Sequence, residues 1–134
     1  MRYSPSQMFD LVNDVETYPR RFGWCVGSTL LERTETSLTA RLDVRVAGFT
    51  QTFTTRNSPE RPDRIGMHLV DGPFRALEGE WTFAALGDVG CKVAFALDFE
   101  YSGKLVGSVL QIGFQGLADR MVDEFCREAA RTYG

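Results

Sequence analysis

The chain has 134 residues and a net charge of −3, with 43% apolar and 25% charged residues. This length fits a single domain spanning residues 1–134, and the composition is that of an ordinary globular protein. The negative total argues against a generic nucleic-acid binder, and with no signal region and no long apolar stretch we expect a soluble, cytoplasmic protein with at most peripheral membrane contact.

The N-terminal segment predicts two short helices. Ser4 is a good N-cap and Pro5 fits the first helical position, so a first helix is expected to begin there. A second helical stretch is predicted over residues 15–22, interrupted at Tyr18-Pro19 because the residue before a proline is disfavoured in the α region. Together the two stretches predict a helical corner.

From about Val26 the apolar residues recur every second position, which predicts β-strands. Alternation is clearest over residues 38–46, 49–54, 65–69, 77–83 and 91–101. A loop is predicted at residues 57–63 because it contains Pro59 and Pro62, and a turn is predicted at residues 71–73. Each predicted strand has one polar face, expected to contact solvent, and one apolar face, which we call the dry face. The connections between the strands are short. These two features indicate an antiparallel meander in an α+β fold.

A long helix is predicted over residues 103–133, where apolar residues recur at spacings of three and four. Such a helix is long enough to cover the dry face of the sheet. Gly103, Gly107, Gly113 and Gly116 all lie in its first half. Because each interior glycine weakens a helix, this half is either a flexible gate over an internal space, a site of close helix–sheet packing, or a later helix start.

Catalytic and metal-binding patterns are absent from the sequence. Cys25, Cys91 and Cys126 are widely separated and His68 is the single histidine, so neither a zinc site nor a disulfide framework is predicted. No nucleophile elbow, phosphate-binding loop or dinucleotide fingerprint occurs. We therefore expect a protein that is not an enzyme and that uses no cofactor.

The dry face is rich in bulky apolar residues, which is typical of a pocket for an apolar ligand and equally of a filled core. Gln51 is predicted to lie on this face, where its amide would bond a ligand carbonyl, bond neighbouring backbone, or lie at a solvated edge of the sheet. The predicted ligand-binding residues are Phe49, Gln51, Phe53, Met67, Phe74, Leu77, Trp81, Phe95, Phe99, Leu110, Phe114 and Leu117.

Several segments make the chain resemble a known family. The most specific combination is Asp-Gly-Pro-Phe at residues 71–74 followed by Trp-Thr-Phe at residues 81–83. Further matching segments lie at residues 3–4, 8–16, 18–19, 24–25, 53–57, 69–74, 77–83, 97–100 and 104–105. The chain resembles the coenzyme Q-binding, START-like members of the polyketide cyclase/dehydrase superfamily, and most of all the bacterial ribosome association toxins among them.

This resemblance implies a helix-grip fold, in which a curved antiparallel sheet wraps a long C-terminal helix and leaves a hydrophobic tunnel between them. It implies a carrier of ubiquinone or a related polyprenyl lipid in support of respiration. For the toxin group, a partner in toxin–antitoxin pairs, it implies binding to the large ribosomal subunit. A cyclase or aromatase activity rests on the superfamily name alone. The family also implies a strand before the first helix, for which Met1, Arg2 and Tyr3 leave little chain.

Ribosome binding would require a local basic surface despite the negative total charge. Arginines on predicted outward strand positions and in the helical corner are the candidates for contacts with rRNA phosphates. These residues are Arg20, Arg21, Arg41, Arg45 and Arg56.

Overall fold

The computed structural model describes residues 2–88, 90–101 and 107–134. Its helices are α1 (Pro5–Asn13), a short 3-10 turn (Val15–Thr17), α2 (Tyr18–Arg21) and α3 (Gly107–Tyr133). Its strands are β1 (Cys25–Arg33), β2 (Leu38–Val46), β3 (Phe49–Glu60), β4 (Arg64–Asp71), β5 (Phe74–Leu86) and β6 (Gly90–Tyr101).

The six strands form one antiparallel sheet in sequence order, β1-β2-β3-β4-β5-β6. The predicted α+β meander is therefore confirmed. Register shifts interrupt the β1–β2, β3–β4 and β5–β6 pairs, and such irregularities increase twist and bend strands, which curves the sheet. Long α3 lies across the concave side, and this is the helix-grip arrangement.

Helix α1 begins where its sequence predicts. The Ser4 hydroxyl accepts from the Gln7 backbone N–H at 3.1 Å, and the Gln7 side chain accepts from the Ser4 N–H at 2.9 Å. This capping box satisfies two donors that a helix start would otherwise leave without partners. Met8, Phe9 and Leu11 then bury the apolar face of the helix.

The predicted break at Tyr18-Pro19 is wrong in its position. The break comes earlier, at Asp14, and Tyr18 has helical backbone angles (φ −54°, ψ −43°). Pro19 lies in the first turn of α2, where its missing N–H costs no intrahelical hydrogen bond. The Tyr18 hydroxyl donates to the Val12 carbonyl and ties the corner together.

The predicted loop at residues 57–63 is also wrong, because β3 continues to Glu60 and only residues 61–63 turn. Pro59 pairs with Ile65 of β4, but β2 begins at Leu38, opposite Asn57. The end of β3 therefore has a neighbouring strand on one side, which is a position where a strand tolerates proline. This extension places Asn57 inside the fold.

The glycines of α3 have different surroundings. A Cβ added at Gly113 would lie 2.9 Å from Val46 Cγ1 and 3.2 Å from Ala47 Cβ, so this glycine permits close helix–sheet packing. A Cβ added at Gly116 would meet Arg120 Nη1 alone, at 3.7 Å, so packing does not require glycine there. Gly103 and the start of the predicted helix lie outside the described residues.

Candidate ligand-binding cavity

A cavity of about 80 Å³ lies between the concave face of the sheet and α3. Side chains from α1, the corner, the sheet and the middle of α3 line it. They are Val12, Val15, Tyr18, Trp24, Ala40, Leu42, Val44, Phe53, Thr55, Asn57, Ile65, Met67, Leu77, Trp81, Phe95, Leu97, Phe114, Leu117, Ala118, Met121 and Phe125. The cavity lies where the fold brings the dry rows of the strands against the apolar face of α3.

Seven of the twelve residues predicted to bind a ligand line this cavity. They are Phe53, Met67, Leu77, Trp81, Phe95, Phe114 and Leu117. Alternation along the strands identified the five strand residues correctly as inward-facing, and helical spacing identified Phe114 and Leu117. Trp81 and Phe95 pair directly across β5 and β6, and directly paired residues share a face.

Phe74, Phe99 and Leu110 lie beside the cavity instead of lining it. Phe74 and Phe99 pack against Phe114, with ring centroids 5.1 and 4.8 Å apart from it. Leu110 is buried one helical turn before Phe114. Phe74 and Phe99 therefore support the lining residue Phe114 through aromatic contacts.

Phe49 and Gln51 are not brought to the cavity. Phe49 lies at the hairpin between β2 and β3 and is 58% exposed. Gln51 is half-buried, and its side-chain amide donates to the Thr50 carbonyl at 3.3 Å. The alternation assigned the correct face to both residues, since they pair with Val46 and Val44, but it carries no information on where the strand leaves the cover of α3.

Apart from the Trp81 indole, the polar groups of the cavity come from residues outside the predicted ligand-binding set. Thr55 and Asn57 are 2% and 7% exposed, and the Thr55 hydroxyl donates to Asn57 Oδ1 at 3.0 Å. The Nε1 atom of Trp24 is buried with no hydrogen-bond partner in the described part of the chain. The signal for Asn57 was the continuing period of two after Phe53, which the proline-based loop assignment overrode.

No charged side chain lines the cavity within residues 2–88, 90–101 and 107–134. Its one ionisable hydroxyl belongs to Tyr18, and burial raises the pKa of that hydroxyl far above its ordinary value, with lesser contributions from Cys25 and Asp14. The Tyr18 side chain is therefore neutral across the physiological range. The cavity suits an uncharged molecule.

The cavity of about 80 Å³ is small for a ligand. Engineered protein cavities that admit benzene measure roughly 150 Å³, so a larger guest requires the lining to move apart. Helix α3 forms one wall, and the helix-interior glycine at position 116 weakens it at the level of Phe114 and Leu117.

A second feature is a basic surface on the convex side of the sheet, which we call the arginine face: Arg41 and Arg45 of β2 and Arg56 of β3. Pairing of Arg41 with Thr54 and of Arg45 with Thr50 places all three on the same face as the β3 threonines. Each is exposed, and none has a carboxylate within 4.0 Å in the described residues. Asp43 lies between Arg41 and Arg45 on this face and accepts a hydrogen bond from Thr52, and the opposite half of the face carries Glu78, Glu80, Asp98 and Glu100.

The two corner arginines do not join the arginine face. Arg21 donates to Glu128 Oε1 at 3.0 Å and also to Thr17 and Thr132, which ties α2 to the end of α3. Arg20 is exposed on α2, a helix that packs beside β1 and is not part of the sheet face that carries the three strand arginines.

None of the helices in residues 2–88, 90–101 and 107–134 is long and apolar enough to cross a membrane. Those residues also contain no group of three or more histidine, cysteine, aspartate or glutamate side chains placed to hold a metal ion.

Comparison with known proteins identifies relatives over almost the whole chain. The ribosome association toxin RatA of Escherichia coli is 44% identical over 131 residues, which are 98% of this chain and 83% of that protein. The mitochondrial coenzyme Q-binding protein COQ10 homolog B of Xenopus laevis is 28% identical over 98% of this chain and 56% of its own length. The aromatase/cyclase ZhuI of Streptomyces sp. R1128 has the same fold, with a TM-score of 0.85, 20% identity and coverage of 99% of this chain and 90% of the other.

The family described as polyketide cyclase / dehydrase and lipid transport matches residues 1–126. This match takes in the corner, all six strands and most of α3, the elements that enclose the cavity. The chain belongs to this START-like family, and the relatives named RatA are similar to it along its length.

Proposed function

We propose that this protein is a non-catalytic binder of an uncharged, hydrophobic small molecule, held between the sheet and α3. The observation that carries the proposal is the cavity itself, which is apolar, uncharged and built from every layer of the fold. A polyprenyl quinone such as ubiquinone fits this chemistry, and a relative named as a coenzyme Q-binding protein is similar to 98% of this chain.

Binding instead of catalysis is supported by the residues that line the cavity. Acid–base catalysis requires a titratable group whose pKa lies near the working pH. The described lining holds no carboxylate, imidazole or amine, and its phenol is kept neutral by burial. The structural similarity to an aromatase/cyclase extends to the fold and carries no residue of a reaction site.

The balance between the free energy gained by burying the ligand and the cost of association favours a ligand that is bound reversibly and released readily. Burying ten carbons of an isoprenoid tail contributes roughly 8 kcal/mol at about 0.8 kcal/mol per carbon. Loss of translational and rotational freedom takes back at least about 4 kcal/mol, and separating α3 from the sheet takes back more. The net affinity is modest, as a carrier that releases its cargo requires.

The test begins with the native protein, extracted with organic solvent and analysed by mass spectrometry for a co-purifying lipid. Binding of a ubiquinone with two isoprene units is then measured by titration in wild type and in Ala118→Phe, whose new ring would fill the cavity. Ala130→Phe is the matched control, because Ala130 is exposed on the same helix. We expect loss of binding in Ala118→Phe alone; an empty extract together with no quinone binding by wild type would refute the proposal.

We propose ribosome association as a second function, supported by the relatives named ribosome association toxins and by the arginine face. Arg41 and Arg56 are diagonal neighbours across β2 and β3, so the two residues are about 7–8 Å apart with their Cβ atoms somewhat closer, near the spacing of successive phosphates in RNA. Unpaired guanidinium groups bind phosphate without first breaking an ion pair.

Sedimentation of the large ribosomal subunit with added protein tests this second function. The variant Arg41→Glu/Arg45→Glu is compared with Lys92→Glu/Arg127→Glu, which makes the same charge change on β6 and α3, outside the arginine face. We expect the first variant to lose co-sedimentation and the second to keep it. For wild type, we expect each phosphate contact to lower the logarithm of the binding constant by roughly 0.9 when the salt concentration rises tenfold. Equal binding by both variants would remove the arginine face from the interface.

A further inference from the structure

Trp24 presents a hydrogen-bond donor to which no residue in the described part of the chain supplies an acceptor. Its Nε1 atom is buried and has no partner in the described residues, although Trp24 lines the cavity. The ring is held by Phe22, stacked at 5.0 Å, and by Tyr18, edge-on at 5.9 Å. The two ring contacts restrict rotation of the indole, and its buried Nε1 atom does not reach solvent. A buried donor without a partner costs free energy, so it marks a position where a partner is expected to bind.

Asn57 supplies a second donor group in the same cavity. The Thr55 hydroxyl donates to its Oδ1 atom at 3.0 Å, which orients the amide and occupies its oxygen. The amide nitrogen makes no hydrogen bond to another described residue, while the side chain as a whole is 7% exposed. The orientation fixed by Thr55 therefore leaves N–H groups, which donate, as the free part of Asn57.

The remaining lining restricts the partner further. Apart from Tyr18, Trp24, Thr55, Asn57 and Trp81, the described lining is aliphatic, phenylalanine or methionine. The Tyr18 hydroxyl is already committed to the Val12 carbonyl. Donors predominate and no cation is present, so a carboxylate would be buried without a counter-charge, which is strongly unfavourable.

We propose that Trp24 and Asn57 are specificity-determining residues that select an uncharged ligand with an acceptor oxygen, such as a ketone, quinone or ester, over a hydrocarbon or a fatty acid. This inference rests on the proposed ligand-binding function and names the chemistry that its cavity selects. Gln51 was the residue predicted to bond a ligand carbonyl, but its amide donates to the backbone carbonyl of Thr50. Trp24 and Asn57 supply that hydrogen bond to the ligand instead.

Three ten-carbon probes separate the chemistry of the ligand from its size: butyrophenone, n-butylbenzene and 4-phenylbutyrate. We expect wild type to bind the ketone about 3- to 10-fold more tightly than the hydrocarbon, the contribution of one or two neutral hydrogen bonds, and to bind the carboxylate most weakly. Trp24→Phe and Asn57→Leu remove the donors and keep apolar bulk. Each should lower the ketone-to-hydrocarbon ratio while the affinity for n-butylbenzene changes by less than about 2-fold.

The outcomes distinguish this inference from the function on which it rests. If wild type binds the hydrocarbon and the ketone equally, or if both variants keep the wild-type ratio, the donor subsite is refuted and ligand binding stands. If wild type binds none of the probes and no quinone, both are refuted. Should a variant fail to fold, the NMR resonance of the Trp24 indole N–H is measured in the wild-type protein instead. A larger downfield shift with butyrophenone than with n-butylbenzene supports the subsite. Equal shifts refute it.

Discussion

Alanine substitutions at Gly116 and Gly113 separate helix propensity from packing in α3. Both replace a glycine inside the same helix, so both should gain about 0.8–1.0 kcal/mol of helix propensity. At Gly116 the new methyl group meets Arg120 Nη1 at 3.7 Å, an ordinary contact with the end of a flexible side chain. Gly116→Ala should therefore raise the free energy of unfolding by nearly the full gain.

Gly113→Ala should have the opposite sign. Its methyl group would lie 2.9 Å from Val46 Cγ1 and 3.2 Å from Ala47 Cβ, at the hairpin between β2 and β3. Forcing the helix and hairpin apart costs about 1–3 kcal/mol, which equals or exceeds the propensity gain. We expect Gly113→Ala to be at least about 1 kcal/mol less stable than Gly116→Ala.

Urea unfolding monitored by circular dichroism measures both changes, and a thermal melt should separate the variants by about 3–5 °C per kcal/mol at this chain length. Equal stabilisation by the two substitutions would refute the close packing of α3 on the hairpin. If Gly116→Ala is destabilising, the helix does not continue through position 116 as described. If Gly116 also permits the opening that ligand entry requires, Gly116→Ala should slow quinone dissociation in a stopped-flow displacement experiment.

Three further predictions concern the cap, the ion pairs and the thiols. Ser4→Ala should lower the free energy of unfolding by about 1 kcal/mol through loss of the capping box, whereas Ser6→Ala, within the first turn, should change it by less than about 0.5 kcal/mol. Hydrogen bonds from Arg131, and then from Arg21, lower the pKa of the buried Glu128 below its ordinary 4.5, so their stabilisation is present above pH 4.5 and lost as pH falls through the lower folded value. Glu128→Gln should therefore cost about 1–2 kcal/mol in urea unfolding at pH 7, and persistence of that cost at pH 2 would contradict the ionic origin. Burial raises the pKa of Cys25 to about 11, so its thiol should resist alkylation at pH 8 until urea unfolds the protein, and rapid labelling of the native state would contradict its burial.

The residues that line the cavity show what the local sequence pattern predicts and what it does not. Phe53, Trp81 and Phe95 were predicted to face inward because side chains alternate strictly along a strand, and they line the cavity. Phe49 obeys the same alternation but is exposed, since α3 does not cover the hairpin end of β3. Periodicity predicts which face of a strand a side chain lies on. It does not predict which element packs against each position of that face.

The errors at the corner and at the end of β3 share one cause. Proline was treated as a breaker at Pro19 and Pro59, but its effect depends on whether its missing N–H would have had a partner. In the first turn of α2 and at the one-sided end of β3 it would not. Only the neighbouring elements reveal this, and the misplaced loop hid Asn57 from the predicted site.

The sequence by itself determined the α+β class, the antiparallel meander, the long closing helix and the family, because alternation, capping and turn residues act locally and the family motifs extend along the chain. The tertiary structure alone decided which inward residues enclose empty space, which arginines are unpaired, and which polar groups face the cavity. Those properties depend on distances between residues remote in sequence, such as the 3.0 Å from Arg21 to Glu128, and such distances are set by the packing of whole elements and not by any local pattern.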